Sequence, residues 1–391
     1  TVGIKGGYGY GNFGDDALML VVHKVVTRVC NPDRVGYLCT PSDYVARLLP
    51  EADVLSLKSE DTLNARLFLY GGGTQFYSFP LTRRNGHGIA SRILRLARQP
   101  HQVPLKIVRR LVRHQGKRFP DQFEACAALG VGVGPFVPGS IEEAHTRELF
   151  QNMDYVSVRD AHSYEVCRQW GVKNLHHHTD LCFWPGFYEP ILPDKRTASR
   201  KTINRVGVIV RDWPHDARGD SYHQGLLAAA DTLKKQGKAV EFILFAGAHD
   251  RVWRERLKSA QFKVIAWDPY KDTVAGFVRT LSTYDLFITA RYHGAVFATL
   301  LEKPSICIEV EPKLSLFADV LREAGRCWRY PFDPSQCLGH AAEIEKDYSH
   351  RVESVRNVKR QQSALAVEMV DSFITFARRC LSDTRTVQHS A

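Results

Sequence analysis

Two periods alternate along this chain. Short apolar runs end in glycine or charge, and each gives way to a segment whose apolar residues recur three and four apart, the spacing of a one-sided helix. The first run, Thr1-Val2-Gly3-Ile4-Lys5, breaks at the glycine-rich turn 6–14. Residues 17–29 then have helical spacing, with Leu18, Val21, Val22, Val25 and Val29 on one side. Strands are predicted at 34–38, 67–70, 125–133 and 154–158, and helices at 44–49 and 164–170; His176-His177-His178-Thr179-Asp180 closes this half. The stretch 185–202, rich in proline and charge, reads as a linker. A second series follows, with strands at 205–210, 239–246, 264–266, 285–290 and 305–310, helices at 226–236 and 274–281, and one long helix at 350–381.

Strands alternating with helices predict parallel sheets. The alternation runs twice, and 391 residues suffice for two domains. The expected fold is α/β, with two doubly wound, Rossmann-like lobes around a cleft. Residues 1–190 form the first lobe, 203–345 the second, and 346–391 a C-terminal helix and tail. In such sheets ligands bind outside the carboxyl ends of the strands, so the residues at those ends are the candidates for chemistry.

Charge changes the picture in one place. The net charge is +11, yet residues 83–118 hold eleven Lys or Arg and no Asp or Glu, and outside them the 42 acidic residues are matched one for one. Basic groups for nucleic acid spread along a groove with aromatics interleaved; here Phe119 stands just beyond the segment, so no nucleic-acid partner is expected. Ile89, Ile93 and Leu96, then Leu105, Val108, Leu111 and Val112, give two short helical faces split by Pro100 and Pro104. Such a pair suits an anionic membrane surface, and a solvated insertion is an equal alternative. Nine scattered cysteines without a Cys-x-x-Cys pair fit a reducing compartment. No run of about 18 apolar residues offers a membrane span. A cytoplasmic location is expected, with peripheral contact at the inner face of the membrane through 83–118. Residue 1 already begins a strand, so an upstream segment stays open.

The strand ends carry the candidate chemistry. Arg291 and His293 follow the run 285–290, Lys313 follows 305–310, Arg159-Asp160 follows 154–158, and Arg211-Asp212 follows 205–210. Guanidinium matches carboxylate or phosphate through two hydrogen bonds, and imidazole moves a proton near neutral pH. Several cations at one crevice suggest a small, multiply charged anion. The plainer alternatives are internal Arg–Asp pairs and a packed histidine. The turn Gly6 to Gly14 has no Walker spacing but offers amides and a helix N-terminus to an anion or sugar; Asp15 or Asp16 would otherwise serve as a helix cap. Gly71-Gly72-Gly73 marks close backbone approach. The three histidines point to alternate faces of a strand and lack zinc spacing, so no metal is expected.

Taken in order, Gly11-Asn12-Phe13-Gly14-Asp15-Asp16-Ala17-Leu18, Gly71-Gly72-Gly73, Ser157-Val158-Arg159-Asp160 with Ser163, Asp180, Arg291-Tyr292-His293-Gly294, and Lys303-Pro304 leading to Lys313 resemble the polysaccharide pyruvyl transferase family. The resemblance implies a two-lobed architecture like that of the glycosyltransferase B fold. It implies transfer of a pyruvyl unit from phosphoenolpyruvate, a co-substrate rather than a cofactor, to a sugar of a polysaccharide or lipid-linked saccharide. The products would be a pyruvate ketal and phosphate. It carries donor binding to Arg159, Arg291, His293 and Lys313, to which Arg211 is added from its strand end. His293 is the expected acid or phosphate-stabilising group, and Asp15 the expected group for orienting or deprotonating the acceptor, beside Asn12, Gly14, Gly72 and Gly73. Insertion 83–118 and the loosely matching 245–250 depart from the family pattern.

Two other functions stay open. A nucleotide-sugar glycosyltransferase of the same architecture also takes an anionic donor, with Glu309 or Glu311 placed for a ribose. A saccharide-binding relative without activity is the third. The sequence leaves acceptor sugar, linkage and oligomeric state unassigned.

Overall fold

The computed structural model describes residues 1–39, 43–56, 64–79, 122–193 and 202–382. The basic segment 83–118, and with it the expected membrane contact, lies outside the described residues.

Two parallel sheets form, and their strand orders explain the sequence alternation. The first holds β1 (Val2–Lys5), β2 (Val35–Cys39), β3 (Asp53–Ser56), β4 (Asn64–Phe76), β5 (Gln122–Val133), β6 (Tyr155–Val158) and β7 (Leu175–His177), in the order β3-β2-β1-β4-β5-β6-β7. The second holds β8 (Arg205–Val210), β9 (Ala239–Leu244), β10 (Lys263–Ala266), β11 (Leu286–Thr289), β12 (Ser305–Ile308) and β13 (Gly325–Trp328), in the order β10-β9-β8-β11-β12-β13. Each is a doubly wound sheet whose order reverses beside its first strand, at β1/β4 and at β8/β11, where such folds place ligands. Both faces are covered by helices, so the strands read as apolar runs rather than alternations: Val206, Val208, Ile209, Val210, Leu286 and Ile288 are all fully buried.

Several boundaries differ from the sequence reading. The first helix is Phe13–Val26, four residues earlier at its start than expected. Asn12 caps it, accepting from the Gly14 amide at 3.3 Å, so neither Asp15 nor Asp16 is the cap. Lys313 lies in the first turn of helix Pro312–Leu321 rather than at a strand end. The expected linker begins with a short helix, Pro185–Tyr188, because Phe187 and Tyr188 are buried in the core. The helix Tyr348–Ser382 braces both lobes. Tyr348 Oη donates to Asp285 O at 2.8 Å in the second lobe, whereas Phe373 and Phe376 pack on Tyr155 in the first.

The lobes meet at the first turn of helix Phe13–Val26. The Phe13 ring lies 4.7–5.3 Å from those of Phe245, Trp267, Phe277 and Phe297. Its amide donates to Phe245 O at 2.9 Å. Asp16, fully buried, accepts from Trp267 Nε1 at 2.8 Å across the joint and from Tyr44 Oη at 3.0 Å. Arg47 donates to Pro269 O and Asp272 O.

Burial pushes the Asp16 carboxyl up to about 7, against the two hydrogen bonds that favour its charge. The folded state therefore holds this proton more tightly than the unfolded chain, whose carboxyl titrates near about 3.9. Stability falls as pH rises between those values. In Asp16→Asn the amide accepts from Trp267 and donates to the Tyr44 hydroxyl. Its melting temperature is expected to vary less between pH 5 and 8, as rough bounds, and to exceed wild type at the upper end. An unchanged slope in thermal melts would place it on another group.

Candidate functional site

Ion pairs gather where the strand ends of the two lobes face each other. Arg159, at the end of β6, is 5% exposed. Its guanidinium lies 3.9 Å over the Tyr292 ring of the other lobe, Nη1 donates to Asp180 Oδ2 at 3.2 Å, and Nη2 to Thr74 Oγ1 at 2.7 Å. Asp160 is more distant, 3.8 Å from Nε, and serves mainly to cap helix Ala161–Gln169. Gly132 lets the arginine in: a Cβ there would stand 3.1 Å from Nε and Nη2.

Asp180 joins this arginine to the second lobe. One carboxylate oxygen accepts from the Cys182 amide at 3.0 Å, and the other lies 3.5 Å from His293 Nε2. Burial alone would raise this carboxyl, but His293 and Arg159 outweigh it and hold it far below the usual carboxylate range. His293 sits in the first turn of helix Tyr292–Leu300, its ring against Gly14. A Cβ on Gly14 would come within 2.3 Å of His293 Nδ1, so the glycine loop and the histidine fit only as a pair. Arg159 Nε and His293 Nε2 are buried polar atoms without a hydrogen-bond partner.

The remaining cations are tethered to acids. Arg291 donates through Nε to Val210 O at 2.9 Å and through Nη2 to the buried Asp250 at 2.5 Å. Arg211 and Lys313 share Glu311, with Lys313 Nζ 3.0 Å from Oε1. Burial raises the Glu311 carboxyl, but Arg211 and Lys313 bring it below its ordinary value. Burial, opposed by Glu311 and reinforced by Arg211 and Arg159, pulls Lys313 down to about 8. Lys313 and Arg159 line one small pocket with Thr74, Gly132, Asp160 and His162.

The residues expected on the acceptor side cluster opposite. Asn12 Nδ2 donates to Asp15 Oδ2 at 2.6 Å, and Asp15 faces Gly7 and Gly73. Gly72 and Gly73 have φ of +62° and +73°, a conformation that favours glycine, and press on Leu18. The structure brings Arg159 and His293 together on Asp180, and Arg159 and Lys313 to one small pocket, whereas Arg211 and Arg291 are held by carboxylates that the sequence reading had not paired with them. Glu311, weighed for a ribose, is already bound by two cations, and Glu309 pairs with Arg329 at 3.1 Å. Asp250, Tyr292 and Thr74 had no assigned role. Glu311, two positions before Lys313, was readable as a counter-charge; Asp250, far from Arg291 in sequence, was not.

Asp180, Cys182 and His293 bring ligand atoms within 4.8 Å of one another. They suit a hydrogen-bonded group better than a metal. The same Asp180 oxygen already faces Arg159 and His293, and burial followed by Asp180 raises the Cys182 thiol, disfavouring the thiolate a metal needs.

A family model of polysaccharide pyruvyl transferases matches residues 12–312. No curated protein matches the chain. Among solved structures, similarity extends over nearly the whole fold. A putative UDP-N-acetylglucosamine 2-epimerase from Listeria monocytogenes has TM-score 0.54 at 9% identity, covering 97% of both chains. HepE of Anabaena, in complex with UDP-glucose, has TM-score 0.51 at 11% identity, covering 97% of this chain and 99% of its own. The calicheamicin glycosyltransferase CalG4 has TM-score 0.51 at 13% identity, covering 98% of each. These likenesses establish the two-lobed glycosyltransferase B-like fold.

Replacing Asp180 with Asn leaves the buried Arg159 charge only the more distant Asp160 as counter-ion, which should cost about 3–5 kcal/mol at neutral pH. Because the native carboxyl titrates below the unfolded one, the deficit should narrow as pH falls below about 4. Urea unfolding at two pH values reads both; a cost under about 1 kcal/mol, the worth of an exposed pair, would contradict the ion pair.

Proposed function

Because the chain belongs to the polysaccharide pyruvyl transferase family, we propose that it transfers the pyruvyl unit of phosphoenolpyruvate to two hydroxyls of one sugar, releasing phosphate. The observation that carries this reading is the pocket lined by Arg159 and Lys313, beside His293 and its buried Asp180. Phosphoenolpyruvate bears a carboxylate and a phosphate. Arg159 offers a buried donor without a partner, and Lys313 a charge that an added anion stabilises. Arg291 and Arg211, fixed by Asp250 and Glu311, add positive potential without moving.

In the proposed reaction an acid adds a proton to the donor methylene carbon, and C2 becomes electrophilic. His293 takes that role, with Asp180 as counter-charge to its imidazolium. A sugar hydroxyl, deprotonated by Asp15, bonds to C2. The phosphate then leaves, and a second hydroxyl of the same sugar closes the ketal, its proton departing with the phosphate. One hydroxyl proton thus balances the new methyl hydrogen. The acceptor, a polysaccharide unit or a lipid-linked saccharide, would enter beside Asn12, Gly14, Asp15, Gly72 and Gly73. No helix of the described residues is long and apolar enough to cross a membrane. We place the reaction in the cytoplasm, with membrane contact left to 83–118.

Phosphoenolpyruvate at about 100 times its dissociation constant should stabilise the protein by roughly 2.7 kcal/mol. Lys313→Met should abolish the response while Arg211 still neutralises Glu311. Stabilisation by a UDP-sugar instead would move the protein to the glycosyltransferase reading.

Lys313 binds the donor in its charged form, so kcat/KM should fall as pH rises through about 8. Lys313→Arg should move that limb to higher pH, since guanidinium keeps its charge. A limb that stays in place belongs to another group.

A further inference from the structure

The cleft also has an aromatic side that the donor chemistry does not use. The chain leaves β4 through Tyr77, Ser78 and Phe79 in the first lobe, and β8 through Trp213 and His215 in the second. These exits meet across the lobes. The Phe79 ring lies 5.3 Å from Trp213 and 4.5 Å from His215, with Tyr77 5.1 Å from Phe79. Trp213 is buried behind them, Phe79 and His215 are half-buried, and Tyr77 is 46% exposed.

The wall is rigid. Ser78 N donates to Pro135 O at 2.9 Å, Ser78 Oγ accepts from Val137 N at 2.8 Å, and it shares a hydrogen bond with Ser140 Oγ at 3.2 Å. Trp213 Nε1 donates to Asp216 at 3.3 Å, and Arg211 lies 5.4 Å over its ring. Arg211 also grips Glu311 together with Lys313, so the wall adjoins the cationic pocket. Burial, and then Arg211, lowers the His215 pKa, favouring a neutral imidazole that offers one donor and one acceptor.

Bared rings on a fixed backbone, beside a charged pocket, match a ligand with an apolar face and a polar rim. A pyranose has that shape, with axial C–H groups on one face and hydroxyls around the edge. Its C–H hydrogens meet the electron-rich face of an aromatic ring.

We propose that Tyr77, Phe79 and His215 form the stacking subsite of the acceptor sugar. The inference rests on the phosphoenolpyruvate-to-saccharide reading and adds which wall of the cleft holds the sugar ring. The pyranose lies with one face on the wall and its edge toward the Lys313–Arg159 pocket, where two hydroxyls meet the donor carbon. His215 exchanges hydrogen bonds with a rim hydroxyl.

Saturation-transfer NMR with methyl β-D-glucopyranoside, methyl β-D-galactopyranoside and methyl α-D-mannopyranoside tests this, with and without saturating phosphoenolpyruvate. Irradiating aromatic protons of the wild type should transfer magnetisation to ring C–H protons of at least one glycoside. Tyr77→Ala and His215→Ala should each weaken that glycoside about twofold to tenfold while leaving the thermal response to phosphoenolpyruvate intact. Phe79→Leu, which keeps an apolar contact with Trp213, should weaken it likewise. Transfer unchanged in all three variants, or no transfer to any glycoside, overturns the subsite. A missing response to phosphoenolpyruvate with sugar transfer retained overturns the donor reading and leaves the wall standing.

Discussion

The cleft depends on the seat of Phe13. Each lobe is a complete doubly wound sheet with its own covering helices, so neither needs the other for its strand order. What fixes one set of strand ends against the other is the first turn of a helix that begins in one lobe and buries its leading ring in the second. Four aromatic side chains surround Phe13, and truncating so enclosed a ring typically costs about 3–5 kcal/mol. Asp16 adds direction to that seat, because a hydrogen bond from Trp267 fixes rotation where packing alone fixes distance. The next consequence follows within the same turn. Gly14, between Phe13 and Asp16, is the floor on which His293 rests, so the joint and the His293 imidazole depend on the same turn. A shift of the lobes would move the histidine relative to everything the first lobe contributes.

The second constraint is electrostatic. Arginine and lysine side chains enter a buried cleft only with compensation, and here three carboxylates provide it: Asp180, Asp250 and Glu311. A buried ion pair is often no more stable than apolar residues of similar volume. We therefore read these pairs as holding guanidinium planes at set orientations for the anionic donor proposed above. The arrangement also grades the cations. Arg291 spends Nε on Val210 O and Nη2 on Asp250, whereas Arg159 spends both terminal nitrogens and keeps Nε without a hydrogen-bond partner, and burial brings Lys313 down to about 8. Arg159 and Lys313 both line the small pocket.

Much of this was legible in the sequence, and the physical reason is periodicity. Strands buried on both faces read as apolar runs, and the reversal from run to one-sided helix marks each strand end. Periodicity is what singles out Arg159, Arg211, Arg291 and His293 as strand-end residues, and the structure places each just past its strand. Lys313 was found with a misplaced element, since Pro312 opens a helix that the apolar run 305–310 had masked. The pairing of the cations was not legible. Asp250 and Arg291 are joined by tertiary structure alone, and nothing in local spacing marks them. Arg159 and Tyr292 stack across the two lobes, and a sequence cannot announce a contact made only when two separate folds are docked. The same holds for Phe79 and Trp213.

Architecture by itself does not select the chemistry. Proteins with UDP in the names or complexes of their structures share this fold at 9–11% identity, and at that distance the shared feature is the frame. The distinction lies in what occupies the carboxyl ends of β8, β11 and β12. A ribose is held by an acidic residue whose carboxylate is free to accept from its hydroxyls. Glu311, the acid weighed for that role, is already used by Arg211 and Lys313, and freeing it would leave two half-buried cations without their counter-ion. An incoming group that carries negative charge relieves those cations, whereas an incoming hydroxyl pair competes for their counter-ion. That occupied carboxylate is the ground on which we propose a compact polyanion and a neutral sugar rather than a nucleotide sugar.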